Sequence, residues 1–387
     1  MRLRQFLIPG LWEVATTAAA SFTGAWLWRI HTPLPSIILY YLVWFGIMAC
    51  VFGLGASLGR RVTAHTLNLT SLGIAVFYLS AFAALGTDSR TWVWGLAGLT
   101  GAASGLYWLA LYAQAAHSVQ ATEGIPYMAW LGVVETGAAV VVPPLAAAVI
   151  AAYSGILGYR LVFGGAAGLV GLALGISWRA PATSSAEDTL TSRVPLPESG
   201  WRLVIQSMAV LGLRDGVLFF VPGLYLFLRT NSALLLGEYL AAQAAVQTAA
   251  FWWVGRRPWH PIMPAVGALM ASAAIGLLAP VPGVFMLGLL SGATYPAFKI
   301  PLEAHALKVI QNQAQRPGDE LRLTSQKELA LNGGRMVGFV VMWGLVVSVA
   351  HPISTLQGIL VGWPALALVL SGAVVAVRRY DQLLSTP

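Results

Sequence analysis

Apolar runs of about 20 residues, separated by short polar breaks, recur along the whole chain. Coiled as an α-helix, a run of that length matches the hydrocarbon thickness of a bilayer. Twelve such runs fall at 9–30, 36–58, 66–86, 92–115, 126–152, 158–178, 203–228, 233–254, 262–279, 282–302, 328–350 and 354–377. Within them the apolar positions are continuous and do not alternate with period two, which argues for helices and against a membrane barrel. The pattern predicts an all-α membrane protein of twelve transmembrane helices, with the lipid bilayer as its solvent.

The polar breaks organise the helices. Residues 179–200, rich in Ser, Thr, Pro and charge, read as a linker with six spans on either side. The expected organisation is a first six-helix bundle over 1–178 and a second over 201–387. A further polar stretch from Gln311 to Lys327 reads as a loop with a short interfacial helix. If the N-terminus lies in the cytoplasm, Arg29, Arg90, Arg160 and Arg229 fall outside, Arg214 and Arg335 fall within spans, and every other Lys and Arg falls inside. Basic residues concentrate in cytoplasmic loops, so this asymmetry places both termini in the cytoplasm of a bacterial-type inner membrane. Arg2 and Arg4 precede a long apolar run without a small-residue cleavage site, which reads as an uncleaved first helix.

Composition sharpens this picture. Only 9% of residues are charged, against about 25% in a soluble domain, so most of the surface has to face lipid. The net charge of +8 would point to nucleic acid in a soluble protein. Here it is explained by the loops, and no nucleic-acid partner is expected. The single cysteine, Cys50, excludes a disulfide framework. Six histidines without ligand spacing give no metal site, and no phosphate loop, nucleophile elbow or zinc-protease motif occurs. No cofactor and no enzymatic activity are expected.

The two halves carry matching landmarks in the same order. Gly10–Glu13 parallels Gly212–Asp215, and Arg29 parallels Arg229. Tyr41-Leu42 parallels Tyr239-Leu240, and Gly59-Arg60-Arg61 parallels Gly255-Arg256-Arg257. Tyr107 precedes His117 as Tyr295 precedes His305. Because both halves start on the same side, the repeat is parallel, with its axis along the membrane normal, an arrangement already known in one transporter superfamily.

Six plus six spans, a central cytoplasmic linker and the Gly59-Arg60-Arg61 end of the turn between spans two and three resemble the major facilitator superfamily. Ala56 stands where that superfamily's turn carries an acidic residue. In span eleven, Glu328 and Asn332-Gly333-Gly334-Arg335 resemble a pattern of some bacterial members. The resemblance implies a monomeric secondary active transporter of a small molecule working by alternating access, with proton-coupled efflux as one form. It implies that spans one, four, seven and ten line a central cavity. The alternatives are a flippase for a lipid-linked substrate or a polytopic membrane enzyme.

A charge at the centre of a membrane helix costs roughly 2.5–3.5 kcal/mol, so charges persist there when paired or facing water. The candidates for a gate or ion-coupling site are Glu13, Glu135, Arg214, Asp215 and Arg335. The repeat equates Glu13 with Asp215 and Glu135 with Arg335, and the latter two are expected to face each other. Arg214 and Asp215 are adjacent, so one of them is expected to point into the cavity. Three roles compete for these groups: gate or fixed structural pairs, proton coupling, and direct substrate contact. Substrate-cavity candidates are Tyr107, Trp108, Tyr112, Tyr295 and Phe298, whose aromatic lining suits an amphipathic or hydrophobic solute. Trp26, Trp28, Trp92, Trp94, Trp252, Trp253 and Trp259 read as interfacial belts. His117 and His305 read as polar ends of spans four and ten. Gly164, Gly168, Gly171 and Gly175 read as a close helix contact. Pro222 and Pro296 are candidate kinks.

Overall fold

The computed structural model describes residues 2–58, 62–118, 124–153, 155–179, 198–256, 267, 280–314, 319–349, 352–362 and 365–385. The first-half helices are α1 (Arg2–Arg29), α2 (Leu34–Leu58), α3 (Ala64–Leu85), α4 (Val93–Ser118), α5 (Gly124–Ala152) and α6 (Leu157–Trp178). The second half contributes α7 (Glu198–Leu218), α8 (Val221–Thr230), α9 (Ala233–Val254), α10 (Pro280–Gln313), α11 (Asp319–Val347), α12 (Pro352–Gly362) and α13 (Leu366–Ser385). Among the described residues, eight segments are long and apolar enough to cross a membrane. α1, α4 and α9 are also of spanning length, at 28, 26 and 22 residues. The chain is a multi-pass membrane protein. The expected span at 262–279 and the linker residues 180–197 lie outside the described residues.

The ends of the helices follow from local chemistry. Thr63 caps α3 by accepting from the Thr66 backbone N–H, and Ser232 caps α9 by accepting from Leu235 N–H. Asn231, in the left-handed conformation at φ 49°, turns the chain sharply between α8 and α9. Span seven is two helices: the chain breaks at Phe219-Phe220 and restarts with Pro222 in the first turn of α8. Pro296 and Pro301 lie inside α10, which continues through both to 34 residues.

Within each half, α3 packs on α4 and α6, and α1 on α5 and α6, while α7 packs on α11 and α9 on α10. Two seams join the halves, α2 against α11 and α5 against α9. Small residues bring these seams together. A methyl on Gly132 of α5 would collide with the Phe251 ring of α9, and one on Gly237 of α9 would meet the Pro143 carbonyl. The Thr136 and Thr248 hydroxyls meet at 2.7 Å across the α5–α9 seam.

Apolar contacts join the halves toward both ends of the space between the seams. At the end where α1 and α5 begin, Met128 and Leu131 of α5 pack with Leu307 and Ile310 of α10 and Leu323 of α11. Toward the opposite end, Tyr41 and Phe45 of α2 stack on Phe339 of α11 at 5.9 and 5.6 Å, and Tyr41 lies 4.0 Å from the Phe220 ring. We refer to these as the proximal and distal closures.

Three expectations about packing are corrected. The α6 glycines do not form a close contact: Gly164, Gly168 and Gly175 are exposed, and an added methyl on Gly168 or Gly175 would touch nothing within 4 Å. They share a face, but that face points away from the buried side formed by Ala166, Val170 and Ala173. Trp26 is not a belt residue; it is fully buried against Tyr159 and Phe163 of α6. Trp92, Trp94, Trp252 and Trp253 are exposed, as interfacial anchors require, and Trp259 lies outside the described residues. His305 is not a helix-end cap. Because α10 runs on to Gln313, His305 sits two turns inside it, buried with Tyr380 edge-on at 5.6 Å. The side chain of His117 lies outside the described residues.

Candidate functional site

A cavity of about 420 Å³ lies between the two closures, lined from both halves by α1, α2, α4, α5, α7, α8, α9, α10 and α11. That volume is in the range of a small-molecule site. Its apolar wall carries Trp12, Trp44, Trp108, Phe219 and Phe220. Polar side chains in the lining are Thr16, Thr17, Ser104, Gln243, Gln247 and Ser291.

All five charged candidates line this cavity, joined by Lys299 and Glu328. Their pairing follows the helices that deliver them. Asp215 of α7 accepts from Arg214 at 3.1 Å and from the Tyr295 hydroxyl at 2.9 Å, with Arg335 of α11 at 3.9 Å. Arg214 also donates to Ser291 at 2.8 Å and lies 4.7 Å over the Tyr295 ring. Arg335 donates to Asn332 one turn back and rests over the Phe45 ring of α2 at 5.1 Å. Each arginine therefore meets a carboxylate and an aromatic face, which offsets much of the desolvation cost.

Glu135 does not face Arg335 in an ion pair. Its partner is Lys299 of α10, at 3.0 Å, which links the two halves across the cavity. The repeat equates levels along helices, but it does not fix which side each helix turns inward, so the expected partner was the wrong basic residue. Both Arg214 and Asp215 line the cavity, contrary to the expectation of one. Adjacent residues diverge by about 100° on a helix, but the long Arg214 side chain bends back to its neighbour's carboxylate.

Of the aromatic candidates, Trp108, Tyr112 and Tyr295 line the cavity. Tyr107 stands behind the wall, 3% exposed, with its ring stacked on Trp12 at 4.1 Å. Phe298 does not reach the cavity. It is 1% exposed, inside an apolar core with Met208, Leu302 and Leu370. On α10, Tyr295 and Lys299 are four residues apart and share a face, whereas Phe298 is rotated away from Lys299 by about 100°.

Sequence reasoning missed a cluster just beyond the cavity, toward the proximal closure. Lys327 of α11 contacts Glu303 of α10 at 2.7 Å and its neighbour Glu328 at 2.7 Å. The three side chains are 4%, 3% and 2% exposed. The Lys327 ammonium also lies 4.4 Å from the Tyr112 ring of α4, a contact between halves. The expected loop over 311–327 is largely helical, because α11 begins at Asp319. The charges there neutralise one another, so the helices extend past the end of the apolar run. A signal was present: Tyr295, Lys299 and Glu303 recur every four residues on one helix face.

No family model matches the chain. It is similar to the uncharacterized protein YqgE of Bacillus subtilis, 22% identical over 343 residues that span 86% of this chain and 80% of that one. Solved structures are similar over nearly the full length. They include the Escherichia coli fucose:proton symporter FucP, at 11% identity, 98% coverage of both chains and a TM-score of 0.63. The human organic anion transporter MFSD10 has 13% identity, coverage of 96% of this chain and 98% of that one, and a TM-score of 0.67. A bacterial homologue of the iron transporter ferroportin, in its outward-facing state, has 15% identity, coverage of 98% and 100%, and a TM-score of 0.63. The chain has the fold of the major facilitator superfamily.

Proposed function

We propose that this protein is a secondary active transporter that carries a small molecule through the bilayer by rocking two six-helix halves, 1–178 and 201–387, about the central cavity. The observation that carries this reading is a solute-sized cavity walled by both halves, with ionised groups from each meeting inside it. Glu135–Lys299 ties α5 to α10, and Tyr112–Lys327 ties α4 to α11. Contacts of that kind form in one access state and break in the other. The similar structures include a fucose symporter, an organic anion transporter and a homologue of an iron transporter, so the shared fold supports transport and leaves the solute to the cavity's own chemistry. Both termini lie in the cytoplasm in this reading, and transport is coupled to a proton gradient. An enzymatic or lipid-flipping role finds no supporting feature among the described residues.

The test is uptake and efflux in proteoliposomes against a solute panel, with and without an imposed pH gradient. At least one solute is expected to accumulate only when the gradient is present, and the protein-free vesicles are expected to show none. Solute movement that ignores the gradient would remove the coupling. A catalytic change to a lipid, or no movement of any solute, would count against the transporter.

A further inference from the structure

We infer that the cavity is built for an organic cation of single charge, a protonated amine or quaternary ammonium, held by Glu13 between aromatic rings. This inference rests on the transporter reading and names its solute class. Among the described residues, Glu13 is the one charged group lining the cavity without an ion pair within 4.0 Å. Glu135 has Lys299, Asp215 has Arg214 and Arg335, and Glu328 has Lys327. With Glu303 and Lys327, which adjoin Glu328, counted in, five carboxylates stand against four basic groups, leaving one negative charge unmatched.

A buried carboxylate that stays ionised needs a countercharge, because burial of the charge without one is strongly unfavourable. The groups facing Glu13 do not supply it. The nearest charges are Glu135 and Lys299, which are already bonded to each other. An anionic solute would have to share Arg214 or Arg335 with Asp215, or Lys299 with Glu135, and would leave Glu13 without a countercharge. A cation needs neither change.

The surroundings select the kind of cation. A metal ion takes several oxygen ligands, and no group of three His, Cys, Asp or Glu is placed to hold one among the described residues. Rings are prominent in the lining. Trp12, braced by Tyr107, adjoins Glu13 on α1, while Trp108 of α4, backed by Tyr112 at 5.5 Å, lines the same cavity. A carboxylate flanked by aromatic faces binds alkylammonium groups through charge and ring quadrupole together. Thr16 and Thr17, one turn on from Glu13, add hydroxyls along the same wall.

The experiment is calorimetric binding to the purified full-length protein in nanodiscs, with empty discs as the blank. The probes are benzyltrimethylammonium, its uncharged near-isostere dimethylbenzylcarbinol, and the anion benzenesulfonate. The wild type is expected to bind the cation at least ~10-fold more tightly than the carbinol, with the sulfonate weakest. Glu13→Gln is expected to abolish that advantage, and Glu13→Asp to retain part of it, with thermal melting reporting that both fold. If Glu13→Gln fails to fold, Trp108→Leu is expected to narrow the cation's advantage. Equal binding of cation and carbinol by the wild type, or an advantage that survives Glu13→Gln, overturns the site. Loss of gradient-driven flux in Glu13→Gln, with no cation preference in the wild type, assigns Glu13 to the proton and also overturns it. Cation binding without flux would instead sink the transporter reading and leave the site standing. Flux of another solute, with no cation advantage, would do the reverse.

Discussion

Lys327→Ala is expected to be among the most destabilising single changes in the protein, costing about 3–5 kcal/mol. It removes the one cation that touches both Glu303 and Glu328 at 2.7 Å and leaves two carboxylates almost completely buried. That is a large share of a typical folding stability of about 5–15 kcal/mol. The loss comes from stranding the acids more than from losing an attraction, so neutralising all three groups should be much milder. The triple variant Lys327→Met, Glu303→Gln, Glu328→Gln is expected to melt well above Lys327→Ala in detergent. A Lys327→Ala protein that melts with the wild type would mean that these carboxylates reach water.

The second large effect is expected at the crossing of α7 and α11, where helix backbones approach through glycine. A methyl on Gly334 would run into the Ala209 carbonyl, and one on Gly212 into the Leu331 carbonyl. Neither obstacle is a side chain that can rotate aside, so the helices have to part, at a cost of about 1–3 kcal/mol for overpacking. Because Arg335 follows Gly334 directly, Gly334→Ala should also draw its guanidinium away from Asp215. Reduced melting temperature and reduced transport are expected together. Gly168→Ala serves as the control: it adds a methyl facing open space inside α6, so transport should stay at the wild-type value and melting should be unchanged or slightly higher.

The architecture was legible because it depends on run length and on where charge is absent, both of which the sequence displays directly. Spans one to eight coincide with described helices to within a few residues, apart from the earlier start of α1 and of α7. The break in span seven could be anticipated from Pro222, which has no N–H to continue the helix. The cavity charges at 13, 135, 214, 215 and 335 stood out because each interrupts an apolar run. Lys299, Glu303 and Lys327 did not, because they cluster at the ends of runs, where charge is usually read as the start of a loop; Glu328 was noted only for the pattern it forms with Asn332 and Arg335. Their burial depends on mutual neutralisation between α10 and α11, a tertiary fact that a single-helix count of hydropathy cannot register. Azimuth was the other gap. Spacing placed Phe298 on a pore helix, yet only the contacts of α10 show that its side chain joins the apolar core with Leu302. The same limit applied to the α6 glycines, whose spacing gave a shared face but not its neighbour.

The central claim is that the two closures open alternately around one cavity. Spin-label distances report this directly, using one label pair across the distal closure (Tyr41 with Phe339) and one across the proximal closure (Met128 with Leu307), in a Cys50→Ser background in nanodiscs. The account predicts two distance populations at each end, with conditions that lengthen the distal distance shortening the proximal one. A single unchanging distance at both ends, across changes of pH and added solute, would contradict it.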